Sequence, residues 1–440
     1  LRGVVIAALT ALLVSLIPAT GFAAPPTPSP APISAIGLST VSWIAASPAY
    51  DKTGTVVVVA AQITQCRTSR CANLWVSRDK GVSWKQAKAS GWDGSHPAIA
   101  VEGSRQEILF DQGSSGLLRS DDLGETWAKV GAPGNLTLTP SYSKDHTVAV
   151  AGPADYVLQN GATHPVAGSG GGFSDLGFAF SPSFPRSGAH SPALLVVLDR
   201  ATGQPLIERC NADLSCSNPV SLPGSQGFSL PVNLSVSADF ARDGVVFAQT
   251  GRGVYKSTDG GATFKLLDIA KSATANATST PMMAMAEGYK EAGPVRTAYV
   301  AVYQTFGGGV HSHSEGGIYK TTDGGASWER IGSPSLLDEG ATAVGAAPGG
   351  RLFAGFLTKG ALSGLLCSPN EKVWTVDCST RGPQSGPSRI LGLPLRVVVA
   401  IVVFVVLSAI VILRARRREA ERPPNLSLSG SARVGEDDGL

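Results

Sequence analysis

A ten-residue run at positions 319–328, Y-K-T-T-D-G-G-A-S-W, recurs in close copies at three other places and constrains the whole chain. Residues 255–264 read Y-K-S-T-D-G-G-A-T-F, residues 118–127 read L-R-S-D-D-L-G-E-T-W, and residues 76–84 read V-S-R-D-K-G-V-S-W. The shared pattern is S/T-x-D-x-G-x-S/T-W/F. Its fixed points are Asp79, Gly81 and Trp84; Asp122, Gly124 and Trp127; Asp259, Gly261 and Phe264; and Asp323, Gly325 and Trp328. Recurrence of this kind implies a fold built from repeated modules.

Each copy reads as a tight hairpin. A strand runs in, a polar Asp-x-Gly turn follows, and a β-prone Ser/Thr-aromatic pair runs out. The Gly supplies a positive φ that other residues resist. The Asp carboxylate and the Ser/Thr hydroxyls hydrogen-bond the turn backbone locally, and the aromatic ring buries an apolar face beneath it.

The pattern resembles the Asp-box, or bacterial neuraminidase repeat. That resemblance implies a β-propeller of the superfamily that includes sialidases, xyloglucan-degrading glycosidases, sortilin-type receptors and photosystem II assembly factors. It also implies that the boxes lie on the outer hairpins of blades, far from the central channel where ligands sit. The likeness therefore bears on architecture more than on activity.

Composition agrees with an all-β chain: 440 residues contain 52 Gly and 29 Pro but only 3 Met. The net charge of +3 comes from Arg2, Arg396 and the tail beyond position 413, leaving the middle neutral. No concentrated basic face is present for nucleic acid.

Both ends carry targeting signals. Arg2, an apolar run over residues 4–17 and a small-residue stretch ending at Ala23 read as a secretory signal over residues 1–23; an uncleaved anchor is the rival reading. Residues 24–38 form a Pro-rich spacer. Residues 39–380 hold the repeats, and residues 381–396 a polar linker. Residues 397–413 are apolar except for Ser408 and precede Arg414, Arg416, Arg417 and Arg418. This predicts one transmembrane helix with a positive-inside flank and a cytoplasmic tail over residues 414–440. The expected topology is single-pass type I in the cell membrane, with the propeller outside.

With the boxes as a ruler, residues 39–378 divide into seven units, and seven four-stranded blades suit the length. Counting alone also admits six or eight. Asp79 and Asp122 are 43 residues apart, whereas Asp122 and Asp259 are separated by 137, which is three periods. Degenerate turns are expected in that gap at Asn160-Gly161 and between Cys210 and Cys216, with a final turn between Cys367 and Cys378. The 64 residues from Asp259 to Asp323 read as one blade with loop insertions. A second signal runs in phase: Ser47-Pro48-Ala49-Tyr50, Thr139-Pro140-Ser141-Tyr142, Ser181-Pro182-Ser183-Phe184 and Ser237-Ala238-Asp239-Phe240 each close a first strand and lead into a β-prone second one.

The six cysteines form three close pairs, Cys66 with Cys71, Cys210 with Cys216 and Cys367 with Cys378. Disulfides suit an exported chain, and two of the pairs fall where a box is missing. A metal site is the weaker alternative, because paired C-x-x-C units and matching His residues are absent. No cofactor is called for.

A glycosidase needs paired carboxylates or a Tyr activated by Glu. The expected inner strands contain no Arg, and their acids are Glu102 and Glu287 alone. The H-S-H-S-E run at 311–315 would place His311, His313 and Glu315 on one strand face, but its flanking glycines favour a loop. The Gly-rich run 168–172 reads as a loop, and Asn135, Asn233 and Asn276 lie in N-x-S/T sequons. The combined expectation is a membrane-anchored binding or scaffolding module for a protein or glycan. The alternatives are a sialidase-like exo-glycosidase using Glu102 and Glu287, and an assembly factor for a membrane complex.

Overall fold

The computed structural model describes residues 38–378 apart from 63–71, 89–96, 103–104, 113–114, 153–154, 167–172, 187, 225–232, 270–281, 307–312, 333–339, 357–363 and 377, together with 389–390 and 393–394. The chain divides into two compact units, Leu1–Thr380 and Arg381–Leu440. In the second, the described residues form one short hairpin, Arg389–Ile390 against Leu393–Pro394. The expected signal and transmembrane segments lie outside the described residues, as does the expected spacer except for Leu38, which begins the first strand. Among the described residues no helix is long and apolar enough to cross a membrane.

The first unit is a seven-bladed β-propeller, each blade an antiparallel sheet of consecutive strands. Blade 1 comprises Leu38–Ala46, Val56–Gln62, Ala72–Ser77 and Lys85–Gln86, and blade 2 comprises Ala98–Glu102, Arg105–Asp111, Leu117–Ser120 and Ala128–Gly131. Blade 3 is Asn135–Leu138, Val148–Ala151, Tyr156–Gln159 and Ala162–Pro165; blade 4 is Phe173–Phe180, Ala193–Asp199, Pro205–Cys210 and Cys216–Ser221. Blade 5 is Asn233–Val236, Val246–Thr250, Gly253–Ser257 and Lys265–Leu266; blade 6 is Met282–Met285, Ala298–Phe306, His313–Thr321 and Glu329–Ile331. Blade 7 departs from the expected four strands. It has Ala341–Ala346, Leu352–Phe356 and Leu365–Ser368, and its fourth strand is reduced to one bridge between Cys367 and Thr375.

The second strands show why the blades form a ring. Successive side chains of a strand point to opposite faces. Val56, Val58 and Ala60 face blade 7, while Val57 and Val59 face blade 2. In blade 3, Val148 and Val150 face blade 2, and Ala149 and Ala151 face blade 4. Each strand is therefore apolar on both faces, and the core is a set of seams between neighbouring blades.

Among the described residues, closure uses no exchanged strand. Blade 7 seats on blade 1 through the Thr342 hydroxyl, which donates to the Val41 carbonyl at 2.7 Å, and the Gly364 N–H, which donates to the Leu38 carbonyl at 2.7 Å. Arg351 donates to the carbonyls of Lys80 and Cys378 at 3.1 and 3.0 Å, tying the last turn of blade 7 to the repeated turn of blade 1.

At the closing Ser/Thr positions the chain turns in the same way in several blades. The N–H groups of Ser47, Thr139, Ser181 and Ser237 donate to Thr55, Thr147, Pro192 and Val245, at the start of or just before the next strand. In three blades a single helical turn follows: α1 (Tyr50–Thr53), α2 (Tyr142–Asp145) and α3 (Phe240–Asp243), each burying its aromatic residue. The α1 turn meets the repeated hairpin of its own blade, since Lys80 N–H donates to the Gly54 carbonyl at 2.9 Å. The α3 turn does likewise, Gly260 N–H donating to the Gly244 carbonyl at 2.9 Å.

Two local expectations need correction. The H-S-H-S-E run is not wholly a loop: residues 313–315 belong to the third strand of blade 6, where Gln304–Phe306 pair with them and lengthen the hairpin. The first strand of blade 4 begins at Phe173, which brings Asp175 into an inner strand as a further acid. The Gly-rich run 168–172 lies outside the described residues, as do Cys66, Cys71 and Asn276.

Candidate functional site

The repeated hairpins join the third and fourth strands of blades 1, 2, 5 and 6, at the outer edge of each blade. In blade 1, Asp79 accepts from the Ser77 hydroxyl (2.8 Å), the Ser83 N–H (2.8 Å) and the Ser83 hydroxyl (2.6 Å). Ser77 in turn accepts the Gly81 N–H at 2.8 Å, and the Trp84 indole donates to the Gly81 carbonyl at 2.9 Å. Asp122, Asp259 and Asp323 hold matching sets through Ser120 and Thr126, Ser257 and Thr263, and Thr321 and Ser327. All these partners lie within four residues, so each carboxylate is occupied by its own turn.

Electrostatics follow from those bonds. Burial works to raise the pKa of Asp79, Asp122 and Asp259, but hydrogen bonds from the following Ser or Thr and the turn backbone outweigh it and hold all three below the ordinary range. Asp122 falls to about 2. At Asp323 the Ser327 hydroxyl is the largest influence, and the shift is again downward.

Of the degenerate turns, Asn160 and Gly161 are both at positive φ and join two strands directly. Cys210–Cys216 and Cys367–Cys378 are disulfides across the outer hairpins of blades 4 and 7.

The glycosidase candidates stand on blades 2 and 6. Glu102 ends the first strand of blade 2, in register with Arg105, and Glu287 is exposed in the turn after the first strand of blade 6. Both lie where inner strands end.

The channel's cavity lies along the inner strands, at their starts in blades 2, 3 and 5. It has a volume of about 530 Å³ and is walled by blades 1 to 6 through Trp43, Ala98, residues 135–138, residues 176–178, residues 233–235 and Met283. Polar groups come from Asn135, Thr137, Asn233, Ser235 and Gln249, and among the described residues Asp111 is the only charged member of the lining. Gln249 is buried, and its amide donates to the Ser235 hydroxyl at 2.9 Å. Thr137 donates to the Phe178 carbonyl at 3.0 Å, joining blades 3 and 4 at the inner edge. Asp111 accepts the Gly134 N–H at 3.1 Å.

Sequence reasoning confined to first strands misses Asp111 and Gln249, which sit at or near the ends of second strands. The other wall residues carry a readable signal. Four places before the closing Ser or Thr stand Trp43, Asn135, Gly177 and Asn233, and all four line the cavity.

A second cavity of about 440 Å³ lies between blades 2 and 3, lined by Arg105, Glu107, Arg119, Tyr142 and His146 among others. Its Tyr142 hydroxyl donates to the buried Glu107 at 2.6 Å, beside Arg105. The same grouping recurs at two further seams: Tyr289 on Glu291 with Lys256, and Tyr299 on Glu371 with Lys320. Burial first, and then the neighbouring Glu, push all three phenols upward, so they stay protonated and donate. These are seam fasteners, not activated nucleophiles. Among the described residues no group of three or more His, Cys, Asp or Glu could hold a metal ion.

No family model matches the chain, and no curated protein does. Several solved propellers align with it in three dimensions. YCF48 from Cyanidioschyzon merolae aligns over 75% of this chain and 94% of its own length, at 13% identity and a TM-score of 0.44. The extracellular domain of the putative one-component system BT4673 from B. thetaiotaomicron aligns over 75% of this chain but 38% of its own, at 10% identity and a TM-score of 0.46. A GH74 enzyme from Niastella koreensis aligns over 75% and 37%, at 16% identity and a TM-score of 0.33. The chain thus spans well under half the length of the latter two.

Proposed function

We propose that this chain is an extracytoplasmic binding module, held at the cell membrane by residues 397–413, that takes a protein or glycan at the open end of its channel. The observation that carries the proposal is the channel lining. Among the described residues it offers amides, hydroxyls and apolar rings that can hold a ligand, and one carboxylate, Asp111, where a glycosidase needs a pair. Binding without turnover is the role such a set supports.

A photoreactive residue placed at Asn135 of the full-length chain in its own membrane tests this. A discrete adduct from position 135, absent when the probe stands at Glu125 on the outer hairpin of blade 2, is the expected result. Adducts from position 125 alone would remove the channel from consideration.

A further inference from the structure

We propose that the cavity between blades 2 and 3 is a docking seat for a partner protein, which inserts a tight peptide turn there; the site is separate from the channel and independent of the reading above. The first observation is what fills the same place in other seams. Ala87 and Leu267, each three residues after the aromatic of a repeat, carry the repeated turn of the next blade: a Cβ on Gly124 would lie 2.6 Å from Ala87, and one on Gly325 would lie 3.3 Å from Leu267. Val130 holds that position in blade 2. Blade 3 has no repeat to lay on it, since Gln159 and Ala162 are paired and only Asn160 and Gly161 make the turn. Val130 lines the cavity instead.

Strand register is the second observation. Ser77, Ser120, Ser257 and Thr321 stand opposite Val56, Ile108, Val246 and Ala298, and each accepts the N–H of its own repeat's glycine. Leu158 holds that place in blade 3, opposite Val148, and lines the cavity with Val148, Leu109 and Val130. The hydroxyl that anchors a turn within the blade is thus replaced by an apolar surface on which a turn from elsewhere can lie. Its buried side chains give nothing to a sugar's hydroxyls, and the Tyr142 hydroxyl and Glu107 are bonded to each other.

The third observation is the donor. Arg119 occupies the position of Lys256, which contacts Glu291 and still donates to the Gly324 carbonyl in the turn of blade 6 at 2.7 Å. Arg78 serves the turn of blade 2 likewise, donating to the Asp122 carbonyl at 2.6 Å. Arg119 contacts Asp121 at 3.1 Å, and Arg105 contacts Asp121 and Glu107. Both cations have carboxylates beside them, so the seat suits a neutral acceptor, and a guanidinium has several N–H groups to share. A turn that lays a glycine over Val130 and a backbone carbonyl on Arg119 meets both requirements. At about 440 Å³ the cavity is in the size range of ligand sites.

The test titrates the full-length chain by calorimetry with a cyclic peptide enclosing the sequence of residues 321–328, T-T-D-G-G-A-S-W, and separately with a neutral trisaccharide. Val130→Phe enlarges a half-buried side chain at the cavity, and Arg119→Ala removes a partly exposed ion pair of small worth, so both variants should keep their melting temperature. Peptide affinity should fall at least about tenfold in V130F and about fivefold in R119A. The same peptide carrying Gly325→Val should bind wild type at least about tenfold more weakly, because a side chain there holds the turn off Val130. Peptide binding to wild type that both variants weaken is the supporting result; if V130F melts early, R119A carries the test alone. Equal binding by wild type and R119A overturns the proposal, as does absence of peptide binding at millimolar concentration. Trisaccharide binding that V130F abolishes, with no peptide binding, overturns the choice of a protein partner.

Discussion

Asp122 illustrates how a single side chain sets the shape of a hairpin. Both of its oxygens accept hydrogen bonds, one from the Thr126 hydroxyl and one from the Ser120 hydroxyl and two turn N–H groups. Such bonds contribute on the order of 1 kcal/mol each and leave buried donors unpaired when removed. Asp79→Ala should therefore lower stability by about 1–2 kcal/mol in urea unfolding, with little effect on the other hairpins. The pH consequence has a definite sign. A carboxyl depressed in the folded state stabilises above its unfolded pKa, near 3.9, and that stability is lost as pH falls through the folded value. With Asp122 at about 2 and Asp79, Asp259 and Asp323 also lowered, melting temperature should drop between about pH 4 and pH 2. Asp122→Asn should make that decline shallower. The repeat made these residues visible in the sequence because Asp and Gly have no substitutes in such a turn. The residue between them was not visible: Lys80 and Leu123 sit at φ 64° and 60°, where the repeats of blades 5 and 6 place Gly260 and Gly324. A position that tolerates Lys, Leu and Gly has no sequence signature, although its conformation is the same. Lys80→Gly, at an exposed position, should relieve that backbone cost and be neutral or stabilising by up to about 1 kcal/mol.

Among the elements, the second strands were legible because burial on both faces leaves an unbroken apolar run, as in residues 56–60 or 193–197. Their alternation assigns each residue to one seam. Leu195 packs towards blade 3 and Leu194 towards blade 5, so truncating either to Ala should cost about 2–5 kcal/mol while loosening a different seam. Hydrogen exchange read strand by strand distinguishes the two. Fasteners between blades were harder to see. A basic residue stands immediately before the Ser or Thr of three repeats, Arg119, Lys256 and Lys320; Arg119 pairs with nearby Asp121, but the partners of the two lysines are remote, Glu291 being 35 residues from Lys256 and Glu371 51 from Lys320. The repeats reveal the cation, whereas only the ring brings the carboxylate to it. Blade 7 was misjudged for a related reason. The Cys367–Cys378 pair marks an outer hairpin correctly, yet spacing does not say that the returning arm makes one bridge instead of a strand.

For the whole molecule, closure rests on how closely blade 7 approaches blade 1. Each blade is one continuous piece of chain, and among the described residues no strand is shared between the first and last blades. The approach is close because Gly345 and Gly355 present bare backbone: a Cβ on Gly345 would lie 2.6 Å from Ile44, and one on Gly355 would lie 2.7 Å from Val41. Neither distance is one that carbon atoms tolerate, and both neighbours are buried side chains of the opposing blade. The site was less legible than this framework, because its polar groups are spread over blades 2, 3 and 5 and meet only when the ring is complete. A pair of Gly→Ala substitutions in inner and second strands separates the two kinds of glycine. Gly355→Ala forces blades 7 and 1 apart and should cost about 1–3 kcal/mol. Gly177→Ala meets no atom and, by restricting the unfolded chain, should be neutral or stabilising by up to about 1 kcal/mol. Chemical denaturation of both variants checks the difference. Equal behaviour would mean that blade 7 does not hold the ring shut by close backbone approach, and that closure depends instead on the Arg351 and Thr342 hydrogen bonds.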